Sequence, residues 1–478
     1  MERYKHTADR NQMQLAPMCL DDLIAPDAEV RALELIVERM DIPSLGFTHS
    51  TTKQTGCRPY SPVDMFKLYA YSYYNGIRSS RKMERECHRN IELMWLIGEL
   101  KPGFKTIADF RKNNKTAIQK AFGRFSRICC ELGLVSREMV AVDGSKFRAS
   151  NSRAAYYSKK NIVQKLADQE KSAKKYLELL NANDEDETGT PRLSRDEILK
   201  KLDQLEQRRK KLERLQEIVQ EVGSVSETDP DSRLMKCSNK GVDICYNTQT
   251  AVEMDNHLVV AVDVTNQPTD KEQLHSMAIQ AKQVLQAESL TVVADKGYYS
   301  ASQFASCVQD GIYPLVPPHE PRNATVRWAY GKKLIRYDEE KGGYICPEGH
   351  LFLPFKSRAS SKHQGFKYYR NKEACDSCKV REKCTPSKVG RTIADRPQRD
   401  IARMGVQRTT GKMDLYHKRK DTVEHPFGTV KRAFGFSYFL TRGLESVRAE
   451  SCLHFLAYNI KRVLNILGMQ ELRAQLAG

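Results

Sequence analysis

Met139-Val-Ala-Val-Asp143-Gly-Ser-Lys146 decides how this chain folds. A short apolar run closed by an acid and a glycine is the pattern of a buried strand at its exit. A second run repeats it: Leu290-Thr-Val-Val-Ala294 ends in Asp295 and is followed by Lys-Gly-Tyr-Tyr299. A third acid stands out by its surroundings. Glu424 lies in Tyr416-His-Lys-Arg-Lys-Asp-Thr-Val-Glu424-His-Pro-Phe-Gly-Thr-Val-Lys431, and residues 401–440 hold eight Lys/Arg against three Asp/Glu. Two strand-end aspartates and one helical glutamate amid positive charge suit divalent cations held against a phosphodiester. Plainer readings stand beside this one. A strand-end Asp is often a turn residue, Asp263 has the same look as Asp143, and Glu424 can pair with Lys420 on a helix surface.

The segments between these acids set the fold class. Ile244 to Val252 alternates, Asp255-Asn256 makes a turn, and Leu258 to Val264 is a second buried run. Gln273 to Glu288 reads as a helix with Asp270 as its N-cap, Ser300 to Cys307 as another helix, and Ile312 to Val316 as a further strand. Three antiparallel strands followed by strand–helix units give an α/β fold with a mixed sheet flanked by helices. That order matches a ribonuclease H-like core, whose first strand lies beside its fourth and would bring Asp143 and Asp295 together.

At 478 residues the chain is long enough for two or three folded units. Lys and Arg total 78 against 60 Asp and Glu, a net charge of +18 that suits nucleic acid or leaves a basic surface. No apolar run approaches the roughly 20 residues of a membrane span, and the start MERYKHTADRNQ lacks a signal-peptide core, so a cytoplasmic protein without a membrane partner is expected.

Residues 1–135 read as a helical domain. Ser61-Pro62 starts a helix with Val63, Phe66, Tyr69, Ala70 and Tyr73 on one face. Gly76 turns into another whose Arg78, Arg81, Lys82, Arg85 and Arg89 supply cations, and Thr106-Ile-Ala-Asp109 resembles a capping box. A further helix carries Ile118, Phe122, Phe125, Cys129 and Leu132 and stops at Gly133. Such helices suit DNA phosphates, or serve packing and dimerisation. Residues 150–225 form an inserted helical hairpin. Ile162, Leu166, Gln169, Ala173, Tyr176 and Leu180 keep coiled-coil spacing, as do Ile198 to Val219, and Ser194-Arg-Asp-Glu197 restarts the helix after the acidic linker Asn181–Pro191. It can contact DNA, contact a second subunit, or act as a solvated spacer.

Thirteen cysteines in a chain of this character are thiols or metal ligands before they are disulfides. Residues 321–410 hold Cys346-Pro-Glu-Gly-His350, Cys375-Asp-Ser-Cys378 and Cys384. These suffice for one tetrahedral Zn2+, with His350 competing against Cys384 for the last position, or they are free thiols in a small β-rich insertion. The chain closes with a helix from about 445 to 467, stopped by Gly468.

Together the motifs resemble the DDE transposases of the IS1182 group, within the IS4-like bacterial insertion sequences. The resemblance rests on Arg58-Pro-Tyr-Ser-Pro62, Ser80-Arg-Lys-Met-Glu84, Ala108-Asp-Phe-Arg111, Ala141-Val-Asp143-Gly-Ser-Lys-Phe-Arg-Ala149, Tyr246-Asn-Thr-Gln-Thr-Ala-Val252, Ala294-Asp-Lys-Gly-Tyr298, the cysteines and the Glu424 segment. It implies that Asp143, Asp295 and Glu424 hold two Mg2+ (or Mn2+) ions. Residues 136–320 and 411–478 would form the catalytic core and residues 1–135 a DNA-binding domain. The partners would be double-stranded DNA, both inverted-repeat ends and target, and a second copy in a homodimeric synaptic complex at the bacterial nucleoid. Lys431, Arg419, Tyr416 and Lys146 would meet DNA phosphates. The family's Tyr, Arg, Glu, Lys signature is met by Tyr416, Glu424 and Lys431. Arg419 suits Tyr416 but lies one residue too far from Glu424, and Lys420 has the reverse fault. A nuclease that cuts without joining, or an inert DNA-binding derivative, uses the same core.

Overall fold

The computed structural model describes residues 19–50, 58–151, 155–185, 194–237, 241–317, 335–355, 366–395 and 399–477. The opening MERYKHTADRNQ and much of the acidic linker lie outside them.

Six helices come first: α1 (Glu29–Arg39), α2 (Pro62–Tyr74), α3 (Ser80–Cys87), α4 (Ile91–Leu96), α5 (Phe104–Asn113) and α6 (Lys115–Glu131). Ser61 caps α2 by accepting from the Val63 amide at 3.2 Å, with Pro62 at the first helical position. The expected single apolar face understates α2, which is buried almost all round because it packs against α1, α4 and α15. Even Lys67 is inside, its ammonium 2.8 Å from Glu34 and 3.2 Å from Glu38. Two expectations fail here. Thr106 does not cap a helix, because α5 already starts at Phe104 after Pro102-Gly103. Arg78 is no surface cation: it is buried, donating to the Tyr438 carbonyl at 2.5 Å and lying 3.7 Å from Glu450. Gly133 ends α6 as its spacing predicts, with φ +70°.

The sheet begins with β1 (Met139–Arg148). Next come β2 (Tyr156–Ser158), the hairpin helices α7 (Lys159–Glu185) and α8 (Arg195–Val222), β3 (Ser224–Ser226) and β4 (Arg233–Cys237). The Ser194–Glu197 capping box forms as expected. The hairpin closes on its own small core of Tyr157, Ile162, Leu212, Val219 and Val225, with β2 pairing β3 at its base. Sequence patterning missed β2, β3 and β4, all three to five residues long.

Then follow β5 (Gly241–Glu253), β6 (Val259–Thr265), α9 (Leu274–Leu285), β7 (Leu290–Ala294), α10 (Ala301–Gln309) and β8 (Ile312–Leu315). One edge of β5 pairs first with β4 and then with β6, and its other edge pairs antiparallel with β1. Beyond β1 the neighbours are parallel: β7, then β8. A single core joins this sheet to the N-terminal helices and the last helix, with Phe66, Phe125, Val140, Val293 and Leu456 among its members.

A second sheet is built from β9 (Arg336–Asp338), β10 (Gly343–Ile345), β11 (Leu351–Phe355), β12 (Lys367–Arg370) and β13 (Thr392–Asp395), with short helices α11 (Lys372–Asp376) and α12 (Arg381–Cys384) between the last two strands. The polypeptide leaves it through α13 (Arg399–Thr410) and α14 (Met413–Gly428) and ends in α15 (Leu444–Ala477), which breaks at Gly468 (φ 69°, ψ 173°). No described helix is long and apolar enough to cross a membrane.

Candidate active site

The parallel ladder of β1 and β7 ends at Val142 opposite Ala294. Asp143 and Asp295 are the next residue on each strand, so both acids emerge where the pairing stops. Asp143 is not at the end of its strand, because β1 continues to Arg148 along β5, with Asp143 opposite Thr250. Asp295 caps the short turn Lys296–Tyr298, accepting from the Gly297 amide at 2.7 Å. A Cβ on Gly297 would stand 2.8 Å from the same carboxylate, which explains the glycine.

Asp143 accepts from the Gly144 amide at 2.9 Å. Burial pushes its carboxyl up to about 6, Arg419 and the Gly144 amide pull it down, and the nearby Asp295 and Asp270 push it up again. Asp270 is therefore part of this cluster. It does not cap α9, whose N-cap position is Gln273 without a side-chain bond. Instead its carboxylate accepts from Asn247 at 2.6 Å, Gln249 at 2.8 Å and the Lys146 ammonium at 3.4 Å. The Tyr298 hydroxyl donates to the Gln249 amide oxygen and is held far above its usual range by burial and by Asp270, Asp143 and Asp295. Gly144 leaves room for this network, since a Cβ there would run into Gln249 and Asp270.

Asp270, Asn247, Gln249 and Tyr298 were missed in the sequence. For Asn247 and Gln249 the signal was the alternation of Tyr246-Asn-Thr-Gln-Thr, which puts two amides on one face of a strand that has neighbours on both edges; nothing local marks Asp270 or Tyr298 for this site.

Arg419 reaches in from α14. Its side chain is 13% exposed, with Nη1 3.8 Å from the Asp143 carboxylate, and Nε and Nη1 have no hydrogen-bond partner. Its guanidinium lies 5.8 Å from the Tyr416 ring centroid. Lys431 sits in a π-helical turn, Thr429–Ala433, with its ammonium donating to Ser145 Oγ at 2.6 Å and the Lys146 carbonyl at 2.8 Å. Burial lowers it to about 8.

Glu424 is exposed on α14, and among the described residues it makes no hydrogen bond or ion pair, with Lys420 included. Among those residues no three His, Cys, Asp or Glu side chains stand together as a metal-holding group, which holds for Asp143, Asp295 and Glu424 and equally for the four cysteines of the second sheet. Asp263 lies apart, 2.7 Å from Arg448.

The Asp143–Asp295 pair fits a hard divalent cation. Its donors are carboxylate oxygens, magnesium commonly takes one or two of them, and a cation would offset the burial, and then the neighbouring acids, that raise Asp143.

In the second sheet, Cys346, Cys375, Cys378 and Cys384 line one cavity of about 30 Å³, with His350 on its wall. Burial and the three other cysteines push the Cys384 thiol up, while Arg391 pulls it down.

No curated protein matches the chain. A cryo-EM structure of the piggyBac transposase synaptic complex with hairpin DNA is similar at 8% identity, covering 95% of this chain and 85% of that one. Its TM-score of 0.26 is too low for that likeness to carry an argument. Residues 18–113 match a transposase domain family (DUF772), and residues 345–464, which include Arg419 and Glu424, match the transposase DDE domain family. These two matches, one before β1 and one through α14, support a DDE transposase.

Proposed function

We propose that this chain is a DDE transposase of the IS1182 group on a ribonuclease H-like core. It would cut DNA at the terminal inverted repeats of an insertion sequence and join the ends to target DNA. Asp143, Asp295 and Glu424 are its metal-binding carboxylates. One observation carries the reading: Asp143 and Asp295 emerge side by side where two parallel central strands stop pairing, and burial and neighbouring acids raise Asp143. The strand order β6-β5-β1-β7-β8, antiparallel then parallel, supports the core assignment.

Two bound Mg2+ or Mn2+ ions would supply the Lewis acidity that activates the attacking oxygen and takes charge from the leaving one. Asp143 and Asp295 anchor that charge. Asp270, fixed by Asn247, Gln249 and Lys146, keeps the floor beneath Asp143 negative and rigid. Arg419, with two buried donors unsatisfied, orients the scissile phosphate over Asp143. Glu424 closes the set from the exposed face of α14 when DNA arrives. The helices of residues 1–135 and the basic surface hold the duplex, and a homodimer holds two ends.

The test is a duplex carrying one inverted-repeat end, incubated with the full chain and Mg2+ and followed for both nicking and strand transfer. Nicking and joining that both vanish in Asp143→Asn and Asp295→Asn establish the reading. Nicking without joining would make the chain a nuclease, and binding without either would make it an inert derivative.

A further inference from the structure

The sheet β9–β13 has very little interior of its own. Its buried core is Tyr344, Phe352, Tyr369, Cys375 and Ile393. Five residues beneath five short strands bury far less apolar surface than a free-standing unit needs, and units this small are usually stapled by disulfides or a metal. No disulfide does this here, because Cys346, Cys375, Cys378 and Cys384 are all free thiols.

We propose that these four cysteines bind one structural zinc ion. The backbone around them is folded for it. In Cys346-Pro-Glu-Gly-His350 the Gly349 amide donates to the Cys346 carbonyl at 2.9 Å and the Cys346 amide to the His350 carbonyl at 3.0 Å, wrapping the chain around Cys346. Gly349 takes φ +82°, which a side chain would strain. Across the cavity, Cys375 lies in α11, the Cys378 amide donates to the Cys375 carbonyl at 3.4 Å, and Cys384 ends α12. Gly390 lets the chain close over this end, since a Cβ there would stand 2.6 Å from Cys375 Cβ.

The cavity is small, about 30 Å³, and four sulfur donors lie on its wall. The four cysteines share the cavity wall without being gathered into a metal-holding group, so zinc with its ~2.3 Å Zn–S bonds draws their sulfurs inward. His350 shares the wall, but its part is the backbone acceptor that closes the Cys346 turn. Four thiolates on one zinc leave a net charge of −2, and two cations stand by: Arg381 lines the cavity and Arg391 donates to the Cys384 carbonyl at 3.1 Å. Soft sulfur ligands select zinc over the hard ions suited to Asp143 and Asp295, so the two sites do not compete. With all four positions filled by protein, the ion is structural. It staples the sheet whose last strand leads into α13 and α14, the helix bearing Arg419 and Glu424.

The test is metal analysis of the full chain purified without added metal, a readout independent of any DNA chemistry. About one zinc per chain is expected, with tetrahedral thiolate–cobalt bands after cobalt exchange. Cys378→Ser and Cys384→Ser should lose the zinc, while His350→Ala and Cys245→Ser keep it. If the serine variants do not fold, a mercurial thiol reagent titrated into the intact chain should release its zinc as about four thiols react. A folded wild-type chain without zinc, retention in Cys384→Ser, or loss in His350→Ala overturns the assignment and leaves the proposed DNA chemistry untouched.

Discussion

Arg419 Nη1 stands 3.8 Å from Oδ2 of Asp143, a buried cation facing a largely buried carboxylate without a hydrogen bond between them. A buried guanidinium with idle donors is costly, and it persists where a ligand completes it. Here a guanidinium whose Nε and Nη1 lack partners faces a carboxylate raised by burial and by neighbouring acids. A phosphate satisfies the arginine and a divalent cation satisfies the acids.

The acid's own titration checks this. Burial first, then Asp295 and Asp270, raise folded Asp143 from 3.8 to about 6. Below pH ~4 the carboxyl is protonated folded and unfolded, so it costs nothing. Between pH ~4 and about 6 the unfolded carboxyl ionises while the folded one resists, so stability falls across that window and the full penalty remains above it. Metal-free Asp143→Asn should therefore be the more stable protein at pH 8, by about 1–3 kcal/mol, with the gap closing by pH ~4. Added Mg2+ should raise the melting temperature of wild type more than that of the variant. Equal melting curves at pH 8 would mean Asp143 ionises freely.

Arg419→Gln should cut end cleavage by about 10²-fold, the cost of losing one preorganised contact to developing charge. Duplex affinity should change little, because one phosphate among many is lost. Cleavage measured at saturating DNA separates the two. An unchanged rate would remove Arg419 from the chemistry.

Asp143 and Asp295 were legible in the sequence as acids closing apolar runs, a pattern that Asp263 shares and that only the fold separates. That the first and fourth strands of the expected core lie side by side, and so bring Asp143 and Asp295 together, was anticipated from element order matched to a ribonuclease H-like fold; the Val142–Ala294 register itself was not. What escaped was long-range or local in a misleading way. Asp270 precedes a helix and looks like its cap, yet it is held by amides from a strand more than twenty residues earlier. Arg78 sits among surface cations in the sequence, but Glu450 and the Tyr438 carbonyl, far down the chain, bury it. Strands β2 to β4 are too short for alternation to show. The four cysteines were visible in the sequence as a pattern, whereas the cavity they share is visible only in three dimensions.

Glu424 offers a prediction with two sides. It is exposed and unpaired among the described residues, so Glu424→Gln should shift stability by less than about 0.5 kcal/mol. If it completes the metal site with DNA, the same change should abolish nicking and joining together while leaving DNA binding intact. A variant of wild-type stability that still nicks at the wild-type rate would remove Glu424 from the site.

The N-terminal helices are tied to the rest by a buried polar joint. Glu450 is fully buried, accepts from the Leu440 and Thr441 amides at 2.8–3.1 Å, and faces Arg78 at 3.7 Å. Removing one member leaves the other charge unpaired inside the protein. Arg78→Ala should cost about 3–5 kcal/mol by denaturant unfolding. Because one core spans helices and sheet, a single transition should report both.

Lys431 decides between two roles for the cation that follows Glu424. The family signature implies a phosphate contact, while in this structure its ammonium donates to Ser145 and to the Lys146 carbonyl and lies 4.3 Å over the Phe147 ring. A lysine so placed braces β1 beside Asp143. Burial lowers it to about 8, so the folded state disfavours its charge; that penalty is complete below pH ~8 and fades as the pH rises towards 10.5. Lys431→Met should therefore recover near neutral pH part of what it loses in hydrogen bonds, and the balance should turn against the variant in alkali. The salt dependence of DNA binding settles the role. Each lysine that neutralises a phosphate contributes about 0.9 to the slope of log K against log salt. A brace predicts the same slope for Lys431→Met as for wild type, with end cleavage reduced through the displaced Asp143. A slope shallower by about one would place the ammonium on DNA and show that it leaves Ser145 when the duplex binds.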